Sequence, residues 1–125
     1  MQKIVLKSKK DDTPLEKVIE EYLRKEVAKI GGKAYKFKSE QNNSVHDRMC
    51  VLPEGVVYFV EVKRPGKAPT KLQTKTIKEF RDKGHYSTWV STKVEVNWLV
   101  QRMKVTINYA QRTREEVLCL RKGES

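Results

Sequence analysis

Y58-F-V-E-V-K-R-P-G66 is an apolar strand with a carboxylate and an ammonium set two positions apart near its end. Strand side chains alternate between faces, so Val57, Phe59, Glu61 and Lys63 point one way and Val56, Tyr58, Val60 and Val62 the other. Apolar residues on both faces mark a strand in the middle of a sheet, where an unpaired ion costs several kcal/mol. Glu61 therefore needs compensation. An ion pair with Lys63 where the strand meets solvent is one source of it.

Working outward, Pro53-Glu54-Gly55 is a tight turn that joins this strand to a preceding one over 45–52, making a hairpin. Before it, Ala34-Tyr35-Lys36-Phe37-Lys38 alternates like a half-buried strand, and Gln41-Asn42-Asn43-Ser44 is a polar loop. Further upstream, Leu15, Val18, Ile19, Tyr22, Leu23, Val27 and Ile30 form an apolar stripe at helical spacing. Thr13-Pro14-Leu15-Glu16 is the start of that helix and Gly31-Gly32 its stop, giving about 14–30.

Downstream, Pro65 to Pro69 breaks the strand, and Thr70 with Gln73 repeats a capping box for a helix over about 70–83 that ends at Gly84. Tyr86 to Val90 is a further strand. Thr92-x-x-Glu95 opens a third helix through about Met103, although the alternation of Val94, Val96, Trp98 and Val100 suits a strand equally. The order predicts an α/β (α+β) fold with an αβββαβ core, a mixed sheet flanked by helices, and a mostly helical C-terminal extension. A length of 125 residues fits one domain, with its core at about 14–103 and its extension at about 104–125.

The charge is unbalanced: 27 Lys and Arg stand against 16 Asp and Glu, a net +11 that draws polyanions to the surface. No apolar run is long enough to span a membrane, and Met1 to Lys10 lacks a secretory apolar stretch, so a cytoplasmic protein is expected. Cys50 and Cys119 are too far apart for a thiolate metal site and suit small buried apolar positions.

Asp47 lies on the strand paired with that of Glu61, so two carboxylates can be brought together. They repel unless a cation joins them, and hard oxygen ligands beside a phosphate suit Mg²⁺. Gln73 sits among Leu72, Ile77 and Phe80 on the helix face that packs on the sheet. Its capping box with Thr70 satisfies it locally; a contact with phosphate or water is the alternative.

Asp47 followed by Glu61-Val62-Lys63 resembles the D…(D/E)xK signature of the PD-(D/E)xK nucleases. With Gly31-Gly32, Tyr35-Lys36-Phe37, His46-Asp47-Arg48, Val60 to Gly66 and Leu72-Gln73, residues 15–98 look like the VRR-NUC branch of that superfamily. The resemblance implies an αβββαβ endonuclease that cuts DNA with Mg²⁺ or Mn²⁺, similar to compact phage and bacterial members that act on branched DNA, such as four-way junctions or flaps, as homodimers. By position it makes Asp47, Glu61 and the Val62 carbonyl metal ligands. Lys63 orients or deprotonates the attacking water, Gln73 is the helix glutamine, and Glu20, with Glu16 as competitor, is the first-helix glutamate.

Two features depart from the family pattern. His46 stands where a proline usually precedes the aspartate, and reads as an exposed residue, with a contact to DNA or the site as the alternative. The basic tail from Arg102 to Ser125 lies beyond the likeness. Between Glu61 and Gly84 there are eight basic and three acidic residues; of these Arg64, Lys67 and Lys71, together with Arg48 on the hairpin, are the candidates to contact DNA phosphates, which position a duplex without reading its sequence. The competing functions are a non-catalytic DNA-binding module that kept the fold, whose mark would be a lost ligand or lysine, and an RNA-associated basic protein, whose mark would be exposed aromatics among the basic residues.

Overall fold

A computed structural model describes residues 12–37, 46–121 and 123, with the side chains of 15–37, 46–120 and 123. The side chains of the Thr13-Pro14 helix start, Lys38 and the loop Gln41 to Ser44, Val45, and the basic side chains of Arg121 and Lys122 lie outside those residues.

Helix α1 (Asp12–Lys29) buries Ile19, Leu23 and Val27, while Leu15 and Val18, at the edge of the apolar stripe, are 41% and 46% exposed. It ends as the glycine pair predicts. Gly31 takes φ +87°, its N–H donates to the Ala28 carbonyl, and the Gly32 N–H reaches back to Val27, which satisfies two carbonyls of the last turn. Gly32 also lies tight against its neighbours, for a Cβ there would stand 2.9 Å from the Val51 carbonyl oxygen.

Strands β1 (Lys33–Lys36), β2 (Arg48–Val51) and β3 (Val57–Val62) follow as two antiparallel pairs, and the turn at Pro53–Gly55 holds Glu54 at φ 63°. Helix α2 (Lys71–Asp82) then carries the chain across to β4 (Tyr86–Val90), parallel to β3 as a helical crossover permits. The sheet order is β1-β2-β3-β4, so β3 is interior. This is the αβββαβ core with a mixed sheet.

Helix α3 (Lys93–Arg121) settles the reading of Val94 to Val100. Thr92 Oγ1 accepts from the Glu95 N–H, and Val96, Leu99, Val100 and Met103 are buried at spacings of a helix, leaving Val94 and Trp98 exposed. The helix runs on past Met103 without a break. Ile107 and Ala110 still pack on the core, and Arg114 pairs with Glu54 at 3.0 Å.

The core joins α1 and α3 to one sheet face through Ala34, Cys50, Tyr58, Val60, Val62 and Val90. Cys50 is fully buried as expected, whereas Cys119 is exposed. Helix α2 covers the opposite face through Thr76, Ile77 and Phe80. Its buried stripe starts at Gln73 and not at Leu72, which is 57% exposed. Among the described residues no helix is long and apolar enough to cross a membrane.

Candidate active site

Regular pairing of β2 with β3 stops at Arg48↔Val60, and the next residue, Asp47, sits in a bend whose carbonyl accepts from the Phe37 N–H. Two bonds clasp it to the end of β3. Its Oδ1 accepts from the Val62 N–H at 3.1 Å, and its own N–H donates to the Glu61 carboxylate. The two acids that the sequence places on partner strands are thus brought together.

Glu61 is 5% exposed and has two further partners. Lys63 Nζ stands 3.6 Å from its Oε2, and Gln73 Nε2 donates to the same oxygen at 3.1 Å. Gln73 makes the capping box, its Oε1 accepting from the Thr70 N–H, and its amide nitrogen is also used, by the Glu61 carboxylate and not by phosphate or water. The helix start and the carboxylate are fixed by one side chain.

The electrostatics are those of two acids crowded out of water. Burial, then the charge of Glu61, pushes the Asp47 carboxyl up to about 7, with the Val62 N–H opposing and Glu20 and Glu16 adding to the rise. Burial also raises Glu61, against the pull of Lys63 and the Asp47 N–H. Two carboxyls that resist ionisation together are a functional-site signature, because a cation would relieve both.

The Val62 carbonyl faces the same side as the N–H that Asp47 holds, since Lys63 N–H, one residue on, bonds across to Val90 of β4. Two carboxylates with a neighbouring carbonyl suit Mg²⁺ or Mn²⁺, which keep waters and take phosphate oxygens for the rest of the shell. Among the described residues no group of three or more His, Cys, Asp or Glu side chains is disposed to hold a metal, so the donor set here is a two-carboxylate one.

Glu20 and Arg48 meet each other instead of solvent. Arg48 Nη2 donates to Glu20 Oε1 at 2.9 Å and its Nη1 to the Ala34 carbonyl, with both side chains 14% exposed. Glu16 is half-buried on the preceding turn. Lys67 and Lys71 are exposed on the approach to α2, and Arg64 is half-buried.

His46, expected to be exposed, is 1% exposed. Its ring lies 4.9 Å from Phe80 and 5.9 Å from Phe59, and Nε2 is 2.6 Å from Ser87 Oγ. Burial, with Arg81 nearby, lowers its pKa to about 4, so the ring is neutral. It anchors the backbone beside Asp47 to β4 and α2. A histidine after a polar loop gives no local sign of this, because its partners come from three distant elements.

A mixed sheet that brings a buried and a half-buried carboxylate, an amine and a glutamine to the open end of its interior strand defines a nuclease-type α/β domain. No family model matches the chain. It is 46% identical over 67 residues to the protein named "Putative nuclease p44" of Acyrthosiphon pisum secondary endosymbiont phage 1, covering 54% of this chain and 72% of that one. Its fold matches the solved structure named "VRR_NUC domain" with a TM-score of 0.65 at 26% identity, over 69% of this chain and 94% of that one. The chain belongs to the VRR-NUC family of nucleases.

Proposed function

We propose that residues 1–125 act as one nuclease domain, a divalent-cation-dependent endonuclease that hydrolyses phosphodiester bonds in DNA and is selective for branched forms such as four-way junctions or flaps. The observation that carries this reading is the clasp of Asp47 and Glu61 beside the Lys63 ammonium. Asp47, Glu61 and the Val62 carbonyl would hold Mg²⁺ or Mn²⁺. When bound, such an ion supplies Lewis-acid chemistry, acidifying water and neutralising charge on the phosphodiester.

The chain's own groups do the rest. Lys63 orients the attacking water, or takes a proton from it after giving up its own, and as the ammonium offsets the negative charge that develops on phosphorus. Gln73 keeps Glu61 from rotating out of the site, and the Val62 N–H does the same for Asp47. Glu20 acts through Arg48: their ion pair braces the start of β2 directly behind Asp47, with any contact from Glu20 to the ion passing through water. Arg64, Lys67 and Lys71 meet backbone phosphates, and Arg48 adds positive charge from behind. Contacts of that kind read the shape of DNA and not its sequence.

A homodimer in the cytoplasm of a bacterial or phage-infected cell is the working form we infer. Val94, Trp98 and Tyr109 support it, forming an apolar row on α3 with exposures of 54%, 66% and 67%.

The test is a panel of flap, fork, four-way and linear DNAs incubated with Mg²⁺ or Mn²⁺, using the parent protein, Glu61→Ala and Lys63→Ala. Cutting of branched DNA by the parent and its loss in both variants, with DNA binding kept, is the expected result. Equal cutting by parent and variants would remove these residues from the mechanism.

A further inference from the structure

A second feature of the molecule lies away from these groups. Strand β4 is the edge of the sheet, and between its outer side, the end of α2 and the middle of α3 there is a cleft of about 470 Å³. Tyr58, on the opposite sheet face from Glu61, forms part of its floor. Along β3 the two residues are about 10 Å apart at roughly 3.3 Å per residue.

The floor is an aromatic pair. Tyr86 stacks on Tyr58 with centroids 4.7 Å apart and rings 12° from parallel. Tyr58 is pinned from the other side, its hydroxyl 2.7 Å from Thr106 Oγ1 on α3. Tyr86 itself is 48% exposed, a rigid ring with one face covered and the rest open. The walls are cationic. Arg81 Nε–H donates to the Ser87 carbonyl at 2.6 Å, which fixes the guanidinium at the rim and, among the described residues, spends one of its five N–H donors. Arg102 is exposed on the facing helix, and no acidic residue is among those lining the cleft.

A supported aromatic ring in a cleft lined by two guanidiniums fits one ligand chemistry well: a flat base that stacks, with neighbouring phosphates. Bases inside a duplex are hidden in their own stack, so only a splayed-out base reaches such a platform. We propose that this cleft binds an unpaired nucleotide of a nucleic-acid strand, with the base on Tyr86 and flanking phosphates on Arg81 and Arg102. It rests on the reading of DNA as the substrate and gives a physical source for a preference for flaps and forks over linear duplex, because these, unlike a fully paired four-way junction, offer a single-stranded segment to the far side of the sheet edge.

The experiment is fluorescence anisotropy of a short oligothymidylate and of a linear duplex, in EDTA so that no cutting intervenes, with the parent, Tyr86→Phe, Tyr86→Leu and Arg102→Gln. Thermal midpoints establish that each variant is folded. Tyr86→Leu should weaken oligothymidylate binding by about fivefold or more, the least that stacking on an aromatic is worth. Tyr86→Phe should stay within about twofold because the stack survives. Arg102→Gln should weaken binding and lower its salt dependence by about one phosphate contact. Duplex affinity should move less than about twofold throughout. Unchanged oligothymidylate binding in Tyr86→Leu and Arg102→Gln overturns the proposal, as does equal weakening of duplex binding. It is also overturned if sedimentation shows that Tyr86→Leu merely splits a dimer with oligothymidylate affinity unaltered. Cutting of linear duplex by Tyr86→Leu at the parental rate separates the two ideas: the catalytic reading then stands or falls on Glu61 and Lys63 alone.

Discussion

Asp47→Asn should make the protein more stable while disabling it. The Asp47 carboxyl ionises near 7 in the folded chain and near 3.8 when unfolded. Between those values the unfolded chain gives up its proton first, so folding stability falls as pH rises through the interval, and above about 7 the full penalty is present. At 1.36 kcal/mol per pH unit a rise of this size corresponds to about 4 kcal/mol. Asparagine keeps an oxygen to accept the Val62 N–H and carries no charge, so it removes the penalty and not the bond. Urea denaturation of parent and variant in EDTA, at intervals from about pH 4 to about pH 8, reads the difference directly. The two should coincide at the acid end, and the variant's advantage should grow with pH and level off above about pH 7 at roughly 3–4 kcal/mol. Taking the difference removes the opposite trend from His46, whose depressed pKa favours unfolding in acid in both proteins. Mg²⁺ or Mn²⁺ should then stabilise the parent and leave Asp47→Asn nearly unmoved. A difference that is flat with pH, or an asparagine protein that is weaker near pH 8, refutes the account of a carboxylate held under strain.

Other perturbations test other parts of the structure. Arg48→Met leaves Glu20 in a half-closed site without its partner and should cost about 3–5 kcal/mol in denaturant midpoint experiments, most of which Glu20→Leu in the same chain restores. Gly32→Ala places a methyl 2.5 Å from Leu52 Cδ2 and 2.9 Å from a main-chain oxygen, and should destabilise by about 1–3 kcal/mol by thermal melting. Gln73→Leu removes both the Thr70 N–H acceptor and the Glu61 donor, so it should lose about 1 kcal/mol of stability and, separately, at least about tenfold in cutting rate. Met103→Ala, at a fully buried position, should cost about 2–5 kcal/mol without changing DNA binding.

How far the sequence went toward this structure depends on where the determining contacts lie. Helix α2 was legible because its start is local: Thr70 and Gln73 are three residues apart and cap each other whatever the tertiary context. The end of α1 was legible for the same reason, through Gly31. The run from Val94 to Val100 was not, because alternating valines serve a strand or a helix alike, and burial of Val96, Leu99, Val100 and Met103 against α1 and the sheet decides between them. The site shows the same division. Glu61 betrayed itself as a charge in an apolar strand and Gln73 as a polar residue on a packing face. The Arg48–Glu20 pair and the burial of His46 rest on contacts across long stretches of chain, and no spacing announces them.

The position of the site follows from a change in what β3 is along its length. From Tyr58 to Val60 the strand pairs with β2 on one side and β4 on the other. Beyond Val60 the β2 neighbour ends, while β4 continues to pair as far as Val90 and Lys63 N–H. The last residues of β3 therefore combine the rigidity of an interior strand with the open backbone of an edge. On that open side the Val62 N–H cannot be left bare, and Asp47 turns in to meet it, which carries its carboxyl against Glu61. The repulsion between the acids is thus a consequence of satisfying the backbone, and the same arrangement leaves the Val62 carbonyl on the side of β3 that Asp47 occupies. A hard cation would relieve two carboxylates held this way, because each then gains a ligand bond in place of a like charge. The charged pair in Y58-F-V-E-V-K-R-P-G66 is tolerated inside an apolar strand because it stands at the point where that strand stops being interior.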